Sequence, residues 1–373
     1  MRIGVPAEIK TEEYRVAITP VGVRELTSRG HQVVVQTGAG VGSSIDDEEL
    51  VAVGAEIAGT AAEVFATSQL ILKVKEPQLD EIAMLRQDHT LFTYLHLAAY
   101  PAQAKGLVAS GATAIAYETV QLASGALPLL APMSEIAGRM AAQAGAHHLE
   151  RPQGGRGVLI GGVPGVAPAR VTVLGAGSAG TNAAFVASGM GANVTVLDLN
   201  VDKLRRLDEL QWGRITTVRS SVHTIDEAVP ASDLVIGAVL VAGARAPIVV
   251  TEDHVKAMRP GSVVVDISID QGGCIATARE TSHAKPSYVL HGVIHYAVGN
   301  IPGAVPNTST YALTNATLPY AVALAEGNLP ALARHPELLP GFNTIGGNVV
   351  NRAVAESLGM EYTDPAPLLG LGG

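Results

Sequence analysis

Four side chains are of types that hold small anions or move protons: Arg15, Lys75, His96 and Asp270. A guanidinium such as Arg15, inside Thr11-Glu12-Glu13-Tyr14-Arg15, offers a bidentate fork to a carboxylate, although a surface ion pair is its ordinary use. Lys75 follows the apolar run that reaches Lys73, and His96 closes Thr93-Tyr94-Leu95-His96. Both therefore sit at the carboxyl ends of expected strands, where open α/β sheets bind ligands. An unperturbed imidazole titrates near pH 6.5, which suits general acid–base work. Asp270 lies just past Val263-Val-Val-Asp-Ile-Ser-Ile, and its neighbouring glycines also fit a plain turn. Taken singly, each of these residues is more often structural. Their joint placement is what suggests chemistry.

A second cluster is made of glycines. Val171-Thr-Val-Leu-Gly175-Ala-Gly177-Ser-Ala-Gly180 puts G-x-G-x-x-G directly after an apolar strand and ahead of a small-residue helix, Thr181–Ser188. Gly175 permits a tight turn, Gly177 lets backbone approach a pyrophosphate, and Gly180 lets the helix pack closely on the strand. Another apolar strand ends at Asp198, 18 residues beyond Gly180, where a carboxylate accepts hydrogen bonds from an adenosine ribose and repels a 2′-phosphate. Leu199 and Asn200 follow instead of arginine, so NAD is expected over NADP. The pairs His291/His295 and His147/His148 lack Cys, Asp or Glu at ligand spacing, and no metal is expected.

These groups need two scaffolds. A chain of 373 residues exceeds what one hydrophobic core usually organises. Strands expected at Ile3–Val5, Gln32–Gln36, Leu70–Lys73, Thr90–Tyr94 and Ala114–Tyr117 alternate with helices at Pro20–Arg29, Asp46–Val53, Ala61–Thr67 and Pro101–Ser110, a pattern of parallel βα units. A helix over Ser134–His148 and a Gly/Pro-rich stretch, 152–168, read as an interdomain loop, lead to a second βα run with strands Val171–Leu174, Asn193–Leu197, Asp233–Ile236 and Ser262–Ile267. After Pro306 the pattern is helical, with Thr308–Glu326 and Asn343–Leu358 expected to return to the first domain. The fold class is α/β: two doubly wound Rossmann-like domains with parallel sheets, separated by an interdomain cleft. The expected division is 1–130 plus 305–373 for substrate and 131–304 for the dinucleotide.

Composition narrows the partners. A net charge of −9 argues against nucleic acid and anionic membrane surfaces, which select basic patches. The longest apolar stretch, Leu234 to Ala244, is too short to cross a bilayer. Met1-Arg-Ile-Gly-Val-Pro-Ala-Glu8 reads as a first strand without a secretion signal. The single cysteine, Cys274, is expected to be an inert core thiol, and a reducing, cytoplasmic location follows.

Several longer stretches resemble the alanine dehydrogenase family: Gly4-Val-Pro-Ala-Glu-Ile-Lys, Glu13-Tyr-Arg-Val-Ala, Val74-Lys-Glu-Pro77, Leu95-His-Leu-Ala98, Gly161-Gly-Val-Pro-Gly165, Asp266-Ile-Ser-Ile-Asp-Gln-Gly-Gly273, Ala297-Val-Gly-Asn-Ile-Pro302 and Thr308-Ser-Thr-Tyr-Ala-Leu-Thr-Asn-Ala-Thr317. The resemblance implies that Arg15 and Lys75 hold the substrate carboxylate and carbonyl, and that His96 and Asp270 serve proton transfer and water. It also implies an NAD site containing Ser134, Gly175, Gly177, Ser178, Ala179, Gly180, Asp198, Lys203, Ser220, Val239, Leu240, Ile267, Ser268, Ile269, Asp270, Arg279, Val298, Gly299, Asn300 and Ile301. Ser134 equally fits a helix N-cap. The implied reaction is reversible, NAD-dependent deamination of L-alanine to pyruvate and ammonia, by a homohexamer. Some relatives use a Glu at the position of Glu118 and a later His for a divalent metal. Here the matching helix ends Ala325-Glu-Gly-Asn328, without histidine. The NAD-binding subunit of a transhydrogenase and a non-catalytic NAD-binding regulator are the alternatives.

Overall fold

In the computed structural model, which describes residues 1–211, 213–239 and 246–371, the chain divides into two compact units. One is Met1–Met133 with Val305–Gly373, the other Ser134–Ala304.

The first unit is built on β1 (Arg2–Val5), β2 (Gln32–Gln36), β3 (Ala55–Ala58), β4 (Leu70–Leu72), β5 (Thr90–Thr93) and β6 (Thr113–Ala116). These six are parallel, in the order β3-β2-β1-β4-β5-β6. Val33-Val-Val35 and Leu70-Ile-Leu72 are almost wholly buried, as strands covered on both faces must be. The strand order reverses between β1 and β4, so the loops leaving those two strands diverge and leave a crevice at the carboxyl edge.

The second unit carries β7 (Arg170–Leu174), β8 (Asn193–Asp198), β9 (Ile215–Arg219), β10 (Leu234–Gly237), β11 (Val263–Asp266), β12 (Ser287–Leu290) and β13 (Val293–Tyr296). Its order is β9-β8-β7-β10-β11-β13-β12, with only β12 antiparallel. The reversal falls between β7 and β10. Its core is a continuous cluster of small and branched residues, including Ala183, Ala184, Ala187, Val171, Val173 and Ile236.

The chain then returns to the first sheet with β14 (Phe342–Ile345), antiparallel to β6, and β15 (Asn348–Val349), antiparallel to β14 at the sheet edge. This corrects the helix expected over Asn343–Leu358. Gly346 and Gly347 both adopt positive φ, 55° and 86°, the backbone that a two-residue hairpin turn requires. Helix forms only at Arg352–Leu358, where the Asn351 side chain accepts from the Val354 N–H and Gly359 ends it left-handed.

Three further differences have local causes. The stretch 152–168 lies inside the second unit, so it is not an interdomain loop; it joins the helix Ala131–His148 to β7. That helix begins three residues before Ser134, which is therefore not its N-cap. The short strands β3, β9, β12 and β13 escaped the periodicity argument because Ala-Glu-Ile-Ala and Ile-Thr-Thr-Val-Arg alternate too briefly to stand out.

Candidate active site

Four neighbouring parallel strands, β6, β5, β4 and β1, deliver their following loops to one edge of the first sheet. After β1 come Glu8, Lys10, Glu13 and Arg15. Arg15 is only 2% exposed, far from the surface ion pair that its type suggests. Its Nε donates to Glu13 Oε1 at 2.6 Å, its backbone N–H to the same oxygen at 3.0 Å, and its Nη1 to Met133 Sδ at 3.0 Å. Glu13 thereby fixes the plane of the guanidinium.

After β4, Lys73 is fully buried and pairs with Glu8 Oε2 at 2.9 Å and Glu81 Oε1 at 2.6 Å. Glu8 also accepts the N–H groups of Val74 at 2.6 Å and Lys75 at 3.4 Å. This triad anchors the segment that carries Lys75, itself 8% exposed.

After β5, His96 takes φ 47° and ψ 36°, a left-handed conformation that costs a residue with a side chain about 1–3 kcal/mol. Its ring stacks on Tyr94 at 5.6 Å between centroids and 5° between planes, and Tyr94 Oη donates to Leu129 O at 2.6 Å. Burial, followed by the positive charges of Lys75, Lys10 and Arg15, pushes the imidazole down to about 3. The expectation of an unshifted value near 6.5 is thus corrected downwards: the surroundings of His96 favour the neutral ring. Because all three cations act on this ring, an arriving carboxylate would meet them together and lift its pKa in turn.

In the second unit, Gly175 has φ 103°, and a side chain there would strike Ala238 O at 2.5 Å. A Cβ on Gly180 would lie 1.8 Å from Gly175 O, so the helix Ser178–Gly189 can sit this close to the strand only with glycine. Gly177 has nothing within 4 Å of where its Cβ would be, and no side chain caps the helix it precedes. Backbone N–H groups are thus available in an open space, as a pyrophosphate requires. Asp198 accepts from Ala176 N–H at 2.6 Å and Asn200 N–H at 2.7 Å, which aims its carboxylate beside the glycine turn. Ser220 donates its N–H to Asp198 O at 2.9 Å, bringing the end of β9 to the same place. Lys203 is exposed on the helix Val201–Leu210. Ser134 lies one turn before Gly138, whose own Cβ would meet Ala179 O at 2.0 Å, so it faces the start of the glycine-turn helix.

The loop after β11 is held by Asp266, which accepts from the N–H groups of Ser268, Cys274 and Ile275 at 3.0, 2.9 and 3.0 Å. Ser268 Oγ donates to Val239 O at 2.7 Å and Ile267 N–H to Gly237 O at 2.9 Å. Leu240 lies outside the described residues. Ile269 is buried, whereas Asp270 is exposed. Cys274 is buried with its thiol pushed up, by burial and then by Asp266. Val298 and Ile301 are buried, Gly299 N–H bonds Thr281 O at 3.2 Å, and Asn300 has φ 67°. A Cβ on Gly299 would fall 2.1 Å from Glu280 Oε1 and 3.2 Å from Asp270 Oδ1, so two carboxylates flank that glycine. Arg279 stacks 4.2 Å above Tyr288, which stacks in turn on His295. His295 is a core residue bonded to Thr277 Oγ1 at 2.7 Å, and His291 pairs with Glu252 at 2.8 Å. Among the described residues, no group of three or more His, Cys, Asp or Glu is placed to hold a metal.

Residues 4–137 match the N-terminal domain and residues 141–352 the C-terminal domain of "Alanine dehydrogenase/PNT". The chain belongs to the alanine dehydrogenase/PNT family. It is 57% identical over 370 residues to alanine dehydrogenase of Mycolicibacterium smegmatis, covering 99% of this chain and 100% of that one. It is 53% identical over 364 residues to alanine dehydrogenase of Bacillus subtilis, covering 97% and 96%. A solved L-alanine dehydrogenase superposes with TM-score 0.93 at 48% identity, covering 96% of this chain and 99% of that one. A transhydrogenase from Sinorhizobium meliloti superposes less closely, with TM-score 0.81 at 26% identity over 95% and 100%.

For a member of the alanine dehydrogenase/PNT family, the cations and the histidine are legible in sequence. The carboxylates that hold them, Glu8, Glu13 and Glu81, are not, and Glu118 is legible only as a position that some relatives use for a metal. Glu8 and Glu13 fall inside stretches already noted for other residues, as does Asp266, which fixes the loop after β11.

Proposed function

We propose that this protein catalyses the reversible, NAD-dependent oxidative deamination of L-alanine to pyruvate and ammonia. The observation that carries the reading is the Arg15–Lys75–His96 cluster at a strand-order reversal, on a chain 57% identical from end to end to an alanine dehydrogenase. Arg15 and Lys75 neutralise and orient the substrate's carboxylate and the group on its Cα. Bound NAD supplies the acceptor for the hydride that leaves Cα. His96, neutral in the free protein, takes a proton from the water that adds to the substrate imine and returns it to the departing amine. Asp270, carried by the second unit, assists that water. The NAD contacts are assigned to the Gly175–Gly180 turn, Ser134, Asp198, Lys203, Ser220, Val239, Leu240, Ile267–Asp270, Arg279 and Val298–Ile301, and the carboxylate of Asp198 disfavours NADP.

Within this reading the protein is a homohexamer, as the family resemblance implies, in the cytoplasm, where a chain with the single cysteine Cys274 and no disulfide is at home. Among the described residues no helix is long and apolar enough to cross a membrane. Incubation with L-alanine and NAD should release NADH, pyruvate and ammonia in equal amounts, with NADP a much poorer acceptor. NADH formed without ammonia would refute the deamination.

A further inference from the structure

We infer that Glu118 is a positioning residue for His96, acting through backbone amides and not through its charge; this rests on the deamination reading above. Beyond β5 the chain leaves the sheet. Tyr94 N–H still reaches Val74 O at 3.2 Å, but the next two amides have passed the end of the strand. Both are taken up by Glu118, which stands in the turn Tyr117–Thr119 directly after the adjacent strand β6. Leu95 N–H donates to Oε1 and Oε2, each at 3.2 Å, and His96 N–H donates to Oε1 at 2.6 Å.

Those bonds fall on the residue that adopts the left-handed backbone. A histidine stays in that conformation only where its surroundings over-determine it, and Glu118 holds the amides on both sides of the Leu95–His96 step. Leu95 is fully buried, so without the carboxylate its N–H would stand unpaired away from water, a costly state that the turn would relieve by unwinding. The imidazole would then swing away from Lys75 and Arg15. Direct contact with the ring is not what Glu118 provides, since His96 Nδ1 lies 3.9 Å from Oε1, beyond hydrogen-bond range. With Oε1 and Oε2 both turned to the backbone, Glu118 is engaged as an acceptor.

Glutamine retains one carbonyl oxygen at this position and alanine none. Glu118→Ala should lower kcat about 100-fold, as an ångström-scale misplacement of a reacting group does, with NADH affinity unchanged. Glu118→Gln should stay within about fivefold of the parent, the worth of one weakened hydrogen bond, with an unshifted pH profile of kcat. The His96 C2–H resonance of the ligand-free protein should move in the alanine variant and hold in the glutamine variant, a readout that stands even if the parent fails to aminate pyruvate. Loss of activity in Glu118→Gln equal to that in Glu118→Ala, a shifted pH profile in Glu118→Gln, or full activity in Glu118→Ala would overturn the inference. If the alanine variant does not fold, the glutamine variant decides alone, because a charge or proton-transfer role loses it and an acceptor role keeps it.

Discussion

Replacing His96 with alanine is expected to lower kcat by about 10²–10⁴-fold, the usual worth of a positioned acid–base group, while NADH binds as before. The two effects separate because His96 stands on the loop after β5 in the first unit, whereas the glycine turn and Asp198 belong to the second. The ring's protonation adds a finer test. Burial and then Lys75, Lys10 and Arg15 hold its pKa at about 3, so NMR titration of the free protein should find His96 neutral from pH 5 upwards. Saturation with pyruvate, whose carboxylate offsets those cations, should raise that value towards neutrality. The sign for folding follows from the same shift: neutral His96 stabilises the native state above about pH 6.5, and its contribution declines as pH falls towards 3, because the unfolded chain takes the proton first. Substantial residual turnover in His96→Ala would place the acid–base role elsewhere.

Lys73→Met is the second large effect, on stability. The substitution keeps the unbranched side chain out to Cε but strips the counter-charge from Glu8 and Glu81, both about 2% exposed. Breaking a buried ion pair from one side costs about 3–5 kcal/mol, which for a unit of this size lowers Tm by roughly 10 °C. Burial already raises the Glu8 carboxyl above its ordinary value, with Lys73 as the chief opposing influence; removing the lysine raises it further. A raised carboxyl stabilises the fold when protonated and loses that contribution as pH rises. The deficit of Lys73→Met should therefore shrink as pH falls from 8 to 5. A deficit independent of pH would show that lost packing, not charge, is responsible. Activity should fall as well, since Glu8 holds the Val74 and Lys75 amides.

What the sequence disclosed and what it hid have physical reasons. Glycines in a strand–turn–helix context are informative because the Gly175 and Gly180 positions exclude a side chain outright, so the residue type and the geometry are nearly the same statement. The apolar strands were visible because buried parallel strands admit little else. Lys75 and His96 were visible because they close such strands. The amide-accepting roles of Glu118, Glu13 and Asp266 were hidden because a carboxylate that accepts backbone amides leaves no periodic trace, and for Glu118 the partners lie on another loop. His96 was found, but its pKa was not, since the shift arises from burial and from cations on other loops. The missed hairpin Phe342–Val349 had a legible turn in Gly346-Gly347; the helical reading after Asn343 obscured it.

The decisive measurement is ammonia-dependent oxidation of NADH across a panel of 2-oxo acids. Pyruvate should give the fastest turnover and L-alanine as product, glyoxylate a slower reaction yielding glycine, and branched or aromatic oxo acids little. Turnover with a bulkier oxo acid but none with pyruvate, or NADH oxidation indifferent to ammonia, would contradict the assignment.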